Sequence, residues 1–119
     1  METRYKVLYY ISPAKQNPVS DFLNSLSPKQ QAKIIRIFKN IKEYGLESVT
    51  IHTRKLSNTP LWEIRILGSD NMRVIYAIPV RDIILLLHGF IKKSHKTPHK
   101  EIDKALERLK DYQKRILIK

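Results

Sequence analysis

The sequence predicts a small α+β domain with a mostly antiparallel sheet of four strands, two helices ahead of the last three strands and one behind them. Three observations support this. Short runs rich in β-branched and aromatic residues cover 61–67, 72–78 and 83–90, separated by Gly68-Ser69-Asp70-Asn71 and Pro79-Val80-Arg81-Asp82; that spacing marks consecutive hairpin-connected strands. Two proline-led segments with helical periodicity precede them, and a third follows. A chain of 119 residues with 42% apolar content is long enough to bury one core without a disulfide or a structural metal.

Residues 4–11 alternate as a first strand, with Tyr5, Val7, Tyr9 and Ile11 on one face and Arg4, Lys6, Leu8 and Tyr10 on the other. Both faces carry apolar groups, so the strand is expected inside the sheet. Ser12-Pro13 stops it. Asn17 is then a cap and Pro18 occupies the first helical position, followed by Val19, Phe22, Leu23 and Leu26 at helical spacing. Ser27, Pro28 and Gln30 repeat the signal as a capping box. Ala32, Ile34, Ile35, Phe38, Ile41 and Tyr44 form the expected apolar stripe, Lys29, Lys33, Arg36, Lys39 and Lys42 the charged remainder, and Gly45 the end. The two helices are expected as a hairpin laid on one face of the sheet.

Residues 47–55 have mixed character and are read as a connecting loop, with 57–60 as the turn into the strands. Thr97-Pro98 opens the last helix by the same cap-then-proline logic, with Ile102, Ala105, Leu106, Leu109 and Tyr112 as its apolar stripe. No repeat, low-complexity tract or linker divides the chain, so residues 1–119 are expected as a single domain.

Cysteine is absent, which excludes a disulfide framework and a thiolate metal site and suits a reducing cytoplasm. No secretory pattern is visible, and the apolar run 83–87 is too short to span a bilayer, so a cytoplasmic location without membrane contact is expected. Lys and Arg number 23 against 11 acids, a net charge of +12. An excess of that size on a small domain predicts a polyanionic partner, because neutralising phosphates releases their condensed counterions. Nucleic acid leads, with a membrane surface or an acidic protein as alternatives.

Alternation places Glu63 and Arg65 on one face of their strand, opposite Trp62, Ile64 and Ile66, and puts Arg73 with Ile75 and Ala77 on the next. An arginine inside an apolar strand is costly to bury unless it is paired, reaches an edge or is held ready for an anion. Two on neighbouring strands, followed by Lys92, Lys93 and Lys96, point to a phosphate site, since a guanidinium presents fixed donors that match phosphate bidentately. His88 is equally readable as a buried histidine bonded to backbone and as a catalytic one. His95 and His99 have the spacing of a metal pair but no third ligand, so no metal is expected. Trp62 and Tyr76 lie in phase with aliphatic residues and are read as core rather than as base-stacking platforms.

Lys55-Leu56, Leu61-Trp62-Glu63-Ile64-Arg65, Arg73-Val74-Ile75-Tyr76, the stretch 87–98 and Glu101-Ile102 together resemble the RelE/HigB toxin superfamily, in particular its phage-derived HigB-like branch. The resemblance covers most of the chain and its strand-helix-helix-strand-strand-strand order. It implies the toxin of a type II toxin-antitoxin module, a ribosome-dependent mRNA endoribonuclease needing no cofactor. The implied partners are mRNA on the ribosome and a helix-turn-helix antitoxin, with operator DNA reached only through the antitoxin. The implied reaction is attack of a ribose 2′-hydroxyl on the adjacent phosphorus, which requires a base, an acid and positive charge over the phosphorane oxygens. Carried over by position, Arg65 and Arg73 would stabilise the phosphorane and His88 and Lys92 would complete the catalytic set. Lys55, Lys93, His95 and Lys96 would hold RNA, with His95 also a candidate for proton transfer. RelE-type members place a tyrosine near the site in a C-terminal segment, whereas Tyr112 lies on an apolar helical stripe and is read as core. Two other readings share these residues: a non-enzymatic ParE-like gyrase inhibitor, and a basic nucleic-acid-binding module without catalysis.

Overall fold

The computed structural model describes residues 5–66, 68, 71–93 and 96–118, with side chains as far as residue 116. Five strands form one sheet: β1 (Lys6–Tyr9), β2 (Thr53–Lys55), β3 (Leu61–Arg65), β4 (Met72–Ala77) and β5 (Ile83–Ile91), in the order β1-β5-β4-β3-β2. Helices α1 (Pro18–Asn24) and α2 (Pro28–Tyr44) pack on one face, a 3₁₀ stretch (Leu46–His52) follows, and α3 (His99–Ile118) covers the other face.

The helix starts follow from local chemistry. The Asn17 side chain accepts from the Ser20 N–H, Ser27 accepts from the Gln30 N–H, and Gln30 returns the bond to the Ser27 N–H, satisfying donors that a helix N-terminus leaves unpaired. Gly45 ends α2 at φ +87°, and a Cβ there would stand 2.7 Å from the Tyr5 ring. The third helix departs from expectation at its start. The Thr97 hydroxyl donates to Glu63 at 2.5 Å, so it ties α3 to β3, and the helix begins at His99.

Three features of the sheet correct the sequence reading. It has five strands, because Thr53–Lys55 pairs with β3; a three-residue strand carrying two cations shows no period and exists through that pairing alone. The sheet is mixed, because β1 runs parallel to β5 with Lys6 against Ile83 and Tyr9 against Leu86. And β1 is an edge strand, not an interior one. Its apolar residues on both faces are explained by helices on both sides of the sheet: Val7 and Tyr9 pack toward α2, while Tyr10 is buried against α3.

The core is therefore double. Ile34, Ile37, Phe38 and Ile41 of α2 and Val19 and Leu23 of α1 pack against Ile64, Val74, Tyr76, Ile84 and Leu86. Ala105 and Leu109 of α3 pack against Leu61, Ile75, Leu85, Leu87 and Phe90, with Tyr112 partly buried beside them. Ile37 replaces Ile35 and Tyr44 in the expected stripe, and both of those are exposed. Gly89 lets α1 lie directly on β5, since a Cβ there would stand 2.3 Å from the Phe22 ring.

Candidate active site

Residues of three strands converge on the α3 face. Arg65 at the end of β3 is directly opposite Arg73 at the start of β4, and Arg73 is in turn opposite Phe90 of β5. One step along, Glu63 is opposite Ile75, which is opposite His88. The neighbouring strand β2 sets Arg54 against Glu63, so a third arginine shares this face.

Glu63 is 1% exposed, and its two oxygens are divided between neighbours: one lies 3.7 Å from Arg73 Nε and the other accepts from Thr97. Two guanidinium groups set directly across from each other would repel, and one buried carboxylate cannot neutralise both. The Nε of Arg65 and that of Arg73 are buried without a hydrogen-bond partner. Arg73 also donates through Nη1 to the Met72 carbonyl at 3.0 Å. Burial pushes its guanidinium below the ordinary arginine value; the Glu63 charge opposes that shift and the Arg65 charge adds to it. The result is a partly buried site with an excess of positive charge and unspent donors, the arrangement that accepts a phosphate.

His88 sits deeper. The ladder between β4 and β5 shifts register after Ile75, so Leu87 has no opposite residue and both Leu87 and His88 meet α3. Arg108 Nη1 donates to His88 Nδ1 at 3.0 Å and to the Leu87 carbonyl at 2.9 Å, and the ring's Nε2 lies 2.9 Å from Glu101 Oε1. Because a guanidinium only donates, Nδ1 is the acceptor and the proton resides on Nε2, facing the carboxylate. Burial holds the ring below the usual histidine value; the Glu101 bond opposes and the Arg108 charge reinforces it. The ring also stacks on Phe90 at 5.6 Å between centroids.

A depressed histidine gives a definite sign. The unfolded chain takes up the proton first as pH falls below about 6.5, so the stability that neutral His88 supplies is present above that value and is lost below it. Urea midpoints should therefore fall between pH 7 and pH 5, and the His88→Asn variant should show a shallower fall. An unchanged slope in the variant would reject this role for the ring.

The remaining candidates fall in different places. Lys92 follows the end of β5, where its N–H donates to the Asn71 carbonyl at 2.8 Å and prolongs the ladder; alternation puts it on the Phe90 side, beside Arg73. Lys93 and Lys96 are exposed in the segment leading to α3, and His95 lies outside the described residues. Lys55 is on the opposite face: it pairs with Trp62, lies 5.6 Å over that ring, and donates to the Thr59 carbonyl. Trp62 and Tyr76 stack at 6.4 Å beneath α2. Sequence reasoning missed Arg54, Thr97, Glu101 and Arg108. Of these, Arg54 was accessible, since Arg54 and Leu56 share a strand phase and Leu56 is a core residue of the α3 face.

Among the described residues, no group of three or more His, Asp or Glu is placed to hold a metal ion, and no helix is long and apolar enough to cross a membrane. Compared with known families, residues 21–110 match the family described as phage derived protein Gp49-like (DUF891). The chain belongs to this family. Gp49-like proteins are a RelE/HigB-like toxin family, so a cognate antitoxin is the partner that membership suggests. The match runs from α1 through most of α3 and so includes all three arginines, Glu63 and His88. No curated protein matches the chain.

Proposed function

We propose that this Gp49-like chain is the toxin of a type II toxin-antitoxin module and acts as an mRNA endoribonuclease of the HigB-like kind on the ribosome, without a metal. One observation carries the reading: Arg65 and Arg73 are set directly opposite each other, with buried, unpartnered Nε donors and, among the described residues, only the Glu63 carboxylate paired with Arg73. A phosphodiester placed there receives both guanidinium groups, and the charge that develops on its non-bridging oxygens during 2′-hydroxyl attack is stabilised without reorganisation. Arg54 borders the same face and extends the positive field toward the neighbouring phosphate.

Glu63 holds Arg73 through charge and α3 through Thr97, so it positions the site. His88, with both ring nitrogens held by α3, is likewise a positioning residue. Lys92, on the open end of the face, is the residue suited to give a proton to the departing 5′-oxygen. Lys93 and Lys96, both exposed, form the rim along which RNA enters, and Lys55 contacts RNA only where the strand passes the outer edge.

The test is translation of a defined mRNA in a purified system with the chain added. Primer extension should reveal new 5′-hydroxyl ends within translated codons, and the upstream fragments should carry a 2′,3′-cyclic or 3′-phosphate. Intact mRNA together with inhibited gyrase would replace this reading with a ParE-like one; salt-sensitive RNA binding with no cleavage would reduce it to a binding module.

A further inference from the structure

On the other face of the sheet, a groove of about 440 Å³ runs between α2 and the 3₁₀ stretch. Lys29, Lys33, Arg36 and Asn40 line one wall at positions i, i+4, i+7 and i+11, a single row along the helix roughly 16 Å long. His52 forms the other wall, with its Nδ1 buried and lacking a hydrogen-bond partner, and Ile66 lies on the floor. Among the described residues that line it there is no carboxylate. The groove between Tyr10, Asp21, Glu107 and Asp111 differs in this respect, since its three acids outnumber Lys104 and Arg108.

We propose that the α2 groove is a second nucleic-acid contact, a track for the sugar-phosphate backbone of an RNA strand. Lys29 and Arg36, both exposed and in line along α2, match a linear polyanion, the apolar floor accepts ribose and base edges, and the unpartnered His52 Nδ1 adds a polar atom to the wall. Its place in the fold adds to this. Ile66 and Arg65 are adjacent in sequence and face opposite sides of the sheet, so the groove and the arginine pair are back to back at the end of β3. Gly68, between β3 and β4, borders the groove, since a Cβ added there would stand 3.4 Å from Lys33 Nζ. An RNA strand passing this point reaches both faces. The identity of the polyanion as RNA rests on the endoribonuclease reading; the existence of the track rests on the groove alone.

The experiment uses a short 2′-O-methyl oligoribonucleotide, which lacks the attacking hydroxyl and so separates binding from cleavage. Its anisotropy is titrated with the full chain over a series of salt concentrations. The Lys29→Ala/Arg36→Ala double variant, altered only at exposed positions, should bind roughly tenfold more weakly at low salt and show a salt slope smaller by about 1.4, at about 0.7 per lost contact. Unchanged affinity and slope would overturn the proposal. Polyglutamate that binds the wild-type groove more tightly than the oligoribonucleotide, with the same dependence on Lys29 and Arg36, would also overturn it in favour of an acidic protein segment. An oligoribonucleotide held by the groove while translated mRNA stays intact would sink the enzymatic reading and leave the track standing.

Discussion

Under the endoribonuclease proposal, Arg73→Ala is expected to lower the rate of mRNA cleavage on translating ribosomes by about 10²–10³, the cost of removing one preorganised donor from developing charge. The residue is 13% exposed, opposite Arg65, and its Nε is unspent, so little of its charge is consumed by the fold. The substitution also leaves Glu63 buried without its cation, and thermal melts are needed to show that the variant is folded. Arg73→Lys separates the two effects. A lysine keeps the pairing with Glu63, and so the stability, but presents a point charge instead of a fork, and should recover only part of the rate. An Arg73→Ala protein that cleaves like the wild type would remove the arginine pair from the mechanism.

Glu63→Ala is expected to produce the largest loss of stability among the polar residues of this face, about 3–5 kcal/mol by urea denaturation. The carboxylate is 1% exposed and serves Arg73 and Thr97 together; without it the Arg73 guanidinium, opposite Arg65, loses its paired anion, and the segment before α3 loses its tie to β3. Added polyanion should restore more stability to this variant than to the wild type, because the freed arginines then have a partner. A loss below about 0.5 kcal/mol, the range of an ordinary surface substitution, would show that the pair is not structural.

How much of this was legible before the structure depended on whether the determining interaction was local. The capping residues Asn17 and Ser27, the prolines after them and the turn at 79–82 all act within a few residues, and they appear where expected, while most of the turn expected at 68–71 lies outside the described residues. Strand phase put Arg65 with Glu63 on one face of β3 and Arg73 with Ile75 and Ala77 on one face of β4, because the period of two is a backbone property; that these are the same face of the sheet came from the register. What escaped was set by distant partners. Thr53–Lys55 becomes a strand only because β3 offers it an edge, and the parallel pairing of β1 is written in neither strand. The roles of Thr97 and His88 likewise came from contacts across elements: one hydroxyl that suits a helix cap was taken by Glu63, and one register shift turned a histidine toward α3. Lys55 shows the same limit from the other side, since its neighbours in sequence suggested the site while the pleat sends it to Trp62.

The parallel pairing of β1 with β5 has a consequence in time as well as in space. Lys6 is registered against Ile83, so the first strand to leave the ribosome during the chain's own synthesis has no partner until nearly all the others are made. The arginine face needs β3, β4 and β5, and its roof is α3, which follows all of them in the chain. Long-range pairings of this kind fold slowly because loop closure precedes any reward from contacts. This face therefore closes late in folding, and until β5 is in place the pairing edge of β1 stays open.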